Sequence, residues 1–113
     1  MEKFDFDVAI IGGGSAGYAT ARTTSAAGKR TVVIDGSEAL GGLCILRGCM
    51  PTKALLHAAD VRFQSKRSNI WGIDSGEIGF DFGKVMQRKA DMVEEFASYR
   101  RDQLQDGRLK LIR

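Results

Sequence analysis

Phe6-Asp7-Val8-Ala9-Ile10-Ile11-Gly12-Gly13-Gly14-Ser15-Ala16-Gly17 is the stretch that decides the fold. Its first half, Phe6 to Ile11, is a short, mostly apolar run ending at glycines, the pattern of a strand buried in a parallel sheet. Its second half fits G-x-G-x-x-G, directly after a strand and at the opening of a helix. Each glycine of the pattern has a task. Gly12 permits the tight turn, Gly14 lets backbone approach a pyrophosphate, and Gly17 lets helix and strand pack closely. Exposed amides and the positive helix end then hold phosphates.

Working outward, Ser15 to Ala27 reads as a helix of small residues closed by Gly28. Thr31 to Ile34 is a second apolar strand, with Asp35 at its tip and Gly36 turning the chain. The result is a βαβ unit with a parallel, right-handed crossover. Asp35 lies 18 residues after Gly17, where an acid meets the ribose hydroxyls of a bound dinucleotide. The turn by itself does not distinguish FAD from NAD.

Next comes Gly41-Gly42-Leu43-Cys44-Ile45-Leu46-Arg47-Gly48-Cys49-Met50-Pro51-Thr52-Lys53, which holds both cysteines of the chain. On one regular helix this spacing would keep the sulfurs apart, because a disulfide needs Cα atoms within about 7 Å. Gly48 supplies the backbone freedom to fold the two together in a distorted turn. Pro51 then sits early in the following helix. The positive end of that helix is expected to lower the pKa of Cys49 and favour its thiolate. Lys53, one turn on, places a cation on the same face. A zinc site would need further ligands, and His57 is the sole histidine. A thioredoxin-like motif would have two residues between the cysteines rather than four. A redox disulfide is the reading these residues support.

In this order and spacing the two motifs resemble the flavin-dependent pyridine nucleotide–disulfide oxidoreductases, the family of dihydrolipoamide dehydrogenase, glutathione reductase and mercuric reductase. The resemblance is strong at residues 12–17 and 41–53 and general elsewhere from Phe6 to the last strand. It implies an α/β, Rossmann-like FAD-binding domain with a parallel sheet, FAD as cofactor and NAD(P)H as co-substrate. It implies that Cys44 exchanges with substrate, Cys49 faces the flavin and Lys53 hydrogen-bonds near its reactive nitrogen. Ser15 and Ala16 would contact the pyrophosphate and Asp35 the ribose, with Gly36, Gly42, Leu43 and Gly48 lining the same cofactor site. Electrons would pass from NAD(P)H through FAD and the Cys44–Cys49 pair to a small-molecule or protein disulfide, or to a thiol-reactive metal ion, or in reverse from a dithiol. Leu43 stands where the family usually has a threonine, Asp35 where glutamate is more usual, and Ile45-Leu46-Arg47 where a more polar sequence is common. An alternative from a different class is a noncatalytic FAD-binding module whose cysteines sense redox state.

Three further elements follow: a helix from Thr52 to about Lys66, a loop from Ser68 to Gly79, and a helix from Phe82 to about Gln105. The last helix carries an apolar stripe of Phe82, Val85, Met86, Ala90, Val93, Phe96 and Ala97. Leu109 to Ile112 opens a strand. So few strands for these helices lead to the expectation that residues 1–113 are the N-terminal segment of an incomplete FAD-binding domain. On that reading the nicotinamide-binding and dimer-interface domains lie elsewhere, the parent is a homodimer, and the segment alone binds FAD weakly or not at all and is inactive. His57, Trp71 and the methionines read as packing side chains, His57 partly buried.

The net charge of +3 comes from basic residues interspersed with acids, which points to solvated helix surfaces and not to nucleic acid. No run approaches the roughly 20 apolar residues of a membrane span. The start, Met1-Glu2-Lys3-Phe4-Asp5, has no apolar signal core, so a cytoplasmic location and a catalytic use of the cysteines are expected.

Overall fold

Three short strands lie parallel in the order β1 (Val8–Ile11), β2 (Thr31–Ile34), β3 (Lys110–Ile112). The structure, a computed structural model, describes residues 4–113; Met1 to Lys3, on which part of the leader reading rests, lie outside the described residues. Val8, Ile10 and Ile11 face Thr31, Val33 and Ile34 across the β1–β2 ladder, and Val33 and Ile34 face Leu111 and Ile112 across β2–β3. This is the strand order of a Rossmann-like sheet, with successive strands adjacent and parallel. Phe6 and Asp7 fall outside β1. Asp7 is drawn off by Arg30, whose guanidinium and amide both donate to its carboxylate, holding its pKa down at about 2.

Helix α1 (Ser15–Ala26) crosses back over one face of this sheet. Ala21, Ile10, Val33, Leu40 and Leu104 form the core, with Val8, Tyr18, Leu109 and Leu111 packed around it. The small residues of α1 let it lie close. A Cβ on Gly17 would fall 1.8 Å from the Gly12 carbonyl oxygen, so only glycine allows this helix–strand approach.

The cysteine segment is more helical than its sequence indicates. It forms a short helix α2 (Gly42–Leu46), and α3 (Cys49–Lys66) begins at Cys49, three residues ahead of the Thr52 expected. Gly48 between them adopts φ −128° and ψ −113°, so the break falls between the cysteines. Pro51 is the third residue of α3, where a missing N–H costs nothing. Ser68–Trp71 makes a 3-10 turn within the expected loop.

Helix α4 (Phe82–Leu104), capped by the Asp81 carboxylate on the Lys84 amide, returns alongside α3. Its buried face is not quite the stripe expected. Ala97 and Leu104 are fully enclosed and Val85, Met86 and Val93 half-buried, whereas Phe82, Ala90 and Phe96 are exposed. Phe96 sits one position off the Ala97–Leu104 line, and seven-residue spacing carries that line past Arg100 and Arg101 into the core. The Arg100 guanidinium lies 4.0 Å above the Tyr18 ring, and Arg22 pairs with Asp106, which ties the end of α4 to α1.

The far face of the sheet is open at its carboxyl end, although Val32 on the same face is enclosed. Ile11 is 90% exposed, and Ile34 and Ile112 beside it are part exposed. Trp71 in the 3-10 turn and His57 on α3 are exposed as well, contrary to the packing roles expected. The accessible surface of 8242 Å² exceeds the roughly 6,000 Å² typical of a compact chain this size, in keeping with extents of 74 × 26 × 18 Å.

The two faces of α4 make a direct test in the full-length protein. Leu104→Ala should lower stability to urea by about 2–5 kcal/mol, and Phe82→Ala by about 0.5 kcal/mol or less. Equal losses would show that the buried face is assigned wrongly.

Candidate functional site: the dinucleotide turn and the dithiol

At the carboxyl end of the sheet the chain turns at Gly12, with φ +92°, and enters α1 behind Gly14. The Gly12 amide still donates to Ile34 O at 2.7 Å, so the turn is anchored to β2. No side chain caps the start of α1 and its first turn has no acid, which leaves its amides available to an anion. Ser15 and Ala16 are exposed there.

Asp35 is buried beneath this turn. Its Oδ2 accepts from the Gly13 amide at 2.7 Å, and its Oδ1 from both the amide and the hydroxyl of Ser37. Burial opposes the charged form, but the bonds from Ser37 and Gly13 and the nearby Arg113 charge outweigh it and hold the carboxyl below its usual range. With Oδ1 occupied twice and Oδ2 once, the carboxylate keeps one lone pair for a ligand hydroxyl. Gly13 is required for the same bond, since a Cβ there would lie 2.9 Å from Oδ2. Gly13 and Ser37 were not singled out from the sequence. The Asp-x-Ser spacing, a common turn in which the acid bonds two residues on, was the available signal.

The dithiol docks directly on this turn. Gly42, with φ +77°, lies so close to Gly14 that a Cβ on it would sit 2.5 Å from the Gly14 Cα. At Gly48 a Cβ would meet Leu43 O at 2.9 Å and the Cys44 Cα at 3.3 Å, so α2 folds back tightly on the start of α3. Leu43 projects into solvent, 75% exposed, and Gly36 has open space around it. Both cysteines are free thiols. Cys44 is half-buried in α2, and Cys49 at the head of α3 is the exposed one, because the Gly48 turn tucks α2 inward.

The pKa of Cys49 is raised, the reverse of the lowering expected from the helix end. The hydrogen bond with Cys44 is the main cause, followed by charge on the Cys44 sulfur; the Cys49 backbone and the Lys53 cation pull the other way and do not prevail. Lys53 does therefore reach the same locality as Cys49. His57, further along α3, stands apart in solvent. Among the described residues, no group of His, Cys, Asp and Glu could hold a metal ion, and no helix is long and apolar enough to cross a membrane.

This pairing of a glycine turn with a close dithiol defines a class, and comparison with known proteins gives the same class. Residues 6–108 match the family model for pyridine nucleotide-disulphide oxidoreductases, and the chain belongs to that family. It is 37% identical over 94 residues to a dihydrolipoyl dehydrogenase of Bacillus subtilis, covering 83% of this chain and 20% of that protein. It is 33% identical over 110 residues to that of Manduca sexta, covering 96% and 22%. Among solved structures it resembles the Cu(II) complex of the HOCl-induced flavoprotein disulfide reductase RclA of Escherichia coli. That match has TM-score 0.72 and 32% identity, over 94% of this chain and 21% of that one. The chain thus spans about a fifth of the length of these relatives.

Thiol titration tests the electrostatics of the pair. In Cys44→Ser the pKa of Cys49 should fall, and its alkylation by iodoacetamide near neutral pH should speed up. In Lys53→Gln it should rise further and alkylation should slow. Site-resolved pH–rate profiles by mass spectrometry give both shifts. An unmoved Cys49 midpoint in Cys44→Ser would refute the assigned cause.

Proposed function

We propose that the full-length protein is an FAD-dependent, NAD(P)H-linked oxidoreductase in which Cys44 and Cys49 alternate between disulfide and dithiol. The observation that carries this reading is the backbone contact of Gly42 on Gly14, which sets the cysteine helix against an uncapped dinucleotide turn. The residues present fit FAD. The α1 amides at Ser15, Ala16 and Gly17 suit its pyrophosphate, and the spare lone pair of Asp35 suits one ribose hydroxyl. Cys49 and Lys53 suit the flavin end. When bound, FAD accepts a hydride from a nicotinamide and relays its electrons two at a time.

On this reading Gly12, Gly14 and Gly17 shape the cradle, and Gly36, Gly42, Leu43 and Gly48 border it. Leu43 offers no side-chain hydrogen bond, which leaves phosphate recognition there to backbone. Lys53 holds positive charge beside Cys49 and opposes the cost of ionising it. Cys44 attacks the acceptor disulfide as a thiolate, breaking its S–S bond so that one thiolate leaves and takes up a proton; Cys49 then attacks Cys44 in the mixed disulfide, expels the second thiol and closes the Cys44–Cys49 disulfide. The soft thiolates also suit a thiophilic metal ion as acceptor, and the E. coli relative was solved with Cu(II). The assembly expected from the resemblance is a homodimer, and the location the cytoplasm.

Anaerobic titration of the FAD-loaded full-length protein with NADPH and NADH tests this. A long-wavelength thiolate–flavin band should appear, persist in Cys44→Ser and be lost in Cys49→Ser, while turnover fails in both variants. A band lost in Cys44→Ser and kept in Cys49→Ser would reverse the two roles. No band in the native protein, with unchanged thiol counts, would favour the noncatalytic redox-sensing module instead.

A further inference from the structure

Two close glycine contacts of the cysteine segment have separate geometric consequences. The contact at Gly48 is internal to the dithiol, with the Cys44 Cα and Leu43 O. The contact at Gly42 is external, joining the dithiol unit to the dinucleotide turn through the Gly14 backbone. It is also one-sided. A Cβ on Gly42 would lie 2.5 Å from the Gly14 Cα and 3.6 Å from its nitrogen, whereas a Cβ on Gly14 would lie at an ordinary 3.8 Å from the Gly42 Cα. Gly42 also has φ +77°, a conformation that disfavours any side chain. Gly14 has φ −68° and is free of that constraint. Next to Gly42, Gly41 is covered by the Leu46 side chain, whose Cγ lies 3.1 Å from a Cβ built there, so α2 rests on its own turn as well.

We propose that Gly42 is a positioning residue: its α-carbon, laid on Gly14, sets the distance from the Cys44–Cys49 pair to the dinucleotide. It acts on the thiols only as a rigid unit with them, so it governs their relation to the cofactor and not to each other. The inference rests on FAD being the dinucleotide held at the turn. Relieving a 2.5 Å contact to an ordinary one displaces α2 by about 1 Å, a misplacement that costs up to about 100-fold where reacting groups must meet in register.

The test is Gly42→Ala in the full-length protein, read in two ways. With FAD, flavin fluorescence quenching should report binding about 10-fold or more weaker, and the thiolate–flavin band should be lost from whatever FAD remains bound. Without FAD, the pH–alkylation midpoint of Cys49 should equal that of the native protein, because Cys44 stays beside it. A general loss of structure would move both readouts, so an unchanged Cys49 midpoint marks the role as positional. If Gly42→Ala does not fold, Leu46→Ala loosens α2 on the turn without a clash and should weaken the band with the same unchanged midpoint. A variant with native FAD affinity and a native band overturns the proposal, as does a shifted Cys49 midpoint. Failure of the native protein to bind FAD would instead refute the cofactor reading.

Discussion

Backbone touching backbone without an intervening side chain is the constraint on which this site depends. It occurs three times in sequence order: Gly17 on Gly12, Gly42 on Gly14, and Gly48 on Cys44. The first seats α1 on the sheet and aims its amides past the strand ends. The second lays the cysteine segment on that turn, and the third folds the segment so that its sulfurs meet. The first two contacts share the dinucleotide turn, and the third is internal to the cysteine segment. A β-carbon at any of the three would have to push against main chain, which cannot rotate aside as a side chain can.

Electrostatics follow from this packing. The Gly13 amide is close enough to bond Asp35 only because Gly13 has no side chain, and that bond helps keep a buried carboxylate ionised below the turn. The dithiol shows the opposite balance. Proximity of Cys44 raises the Cys49 pKa more than its own backbone and Lys53 lower it, so Cys49 gives up its proton less readily than a lone helix-terminal cysteine.

The βαβ order, the glycine turn and the Asp35 position were legible in the sequence because each rests on local rules: apolar runs, a spaced motif and a strand-end acid. The cysteine segment was legible as chemistry but not as shape. Local signals such as Pro51 and the apolar Thr52–Lys66 pattern place a helix start too late, since the helix actually begins at Cys49 behind the Gly48 break. The direction of the Cys49 shift was missed for a related reason. The helix-end effect can be inferred from chain order, whereas the stronger Cys44 effect requires knowing how far Gly48 folds the chain back. On α4, Leu104 was passed over because two arginines interrupt the stripe, and Phe82 and Phe96 were included on hydrophobicity alone.

The central claim is that this dithiol and a flavin held at the turn form one electron-exchanging unit, and electron counting tests it most directly. Anaerobic reductive titration of the FAD-loaded full-length protein should consume about four electrons per chain, two for the flavin and two for the Cys44–Cys49 disulfide. Removing Cys44 should reduce the uptake to about two. Uptake of only about two electrons by the native protein, with Cys44 and Cys49 still oxidised, would contradict the account.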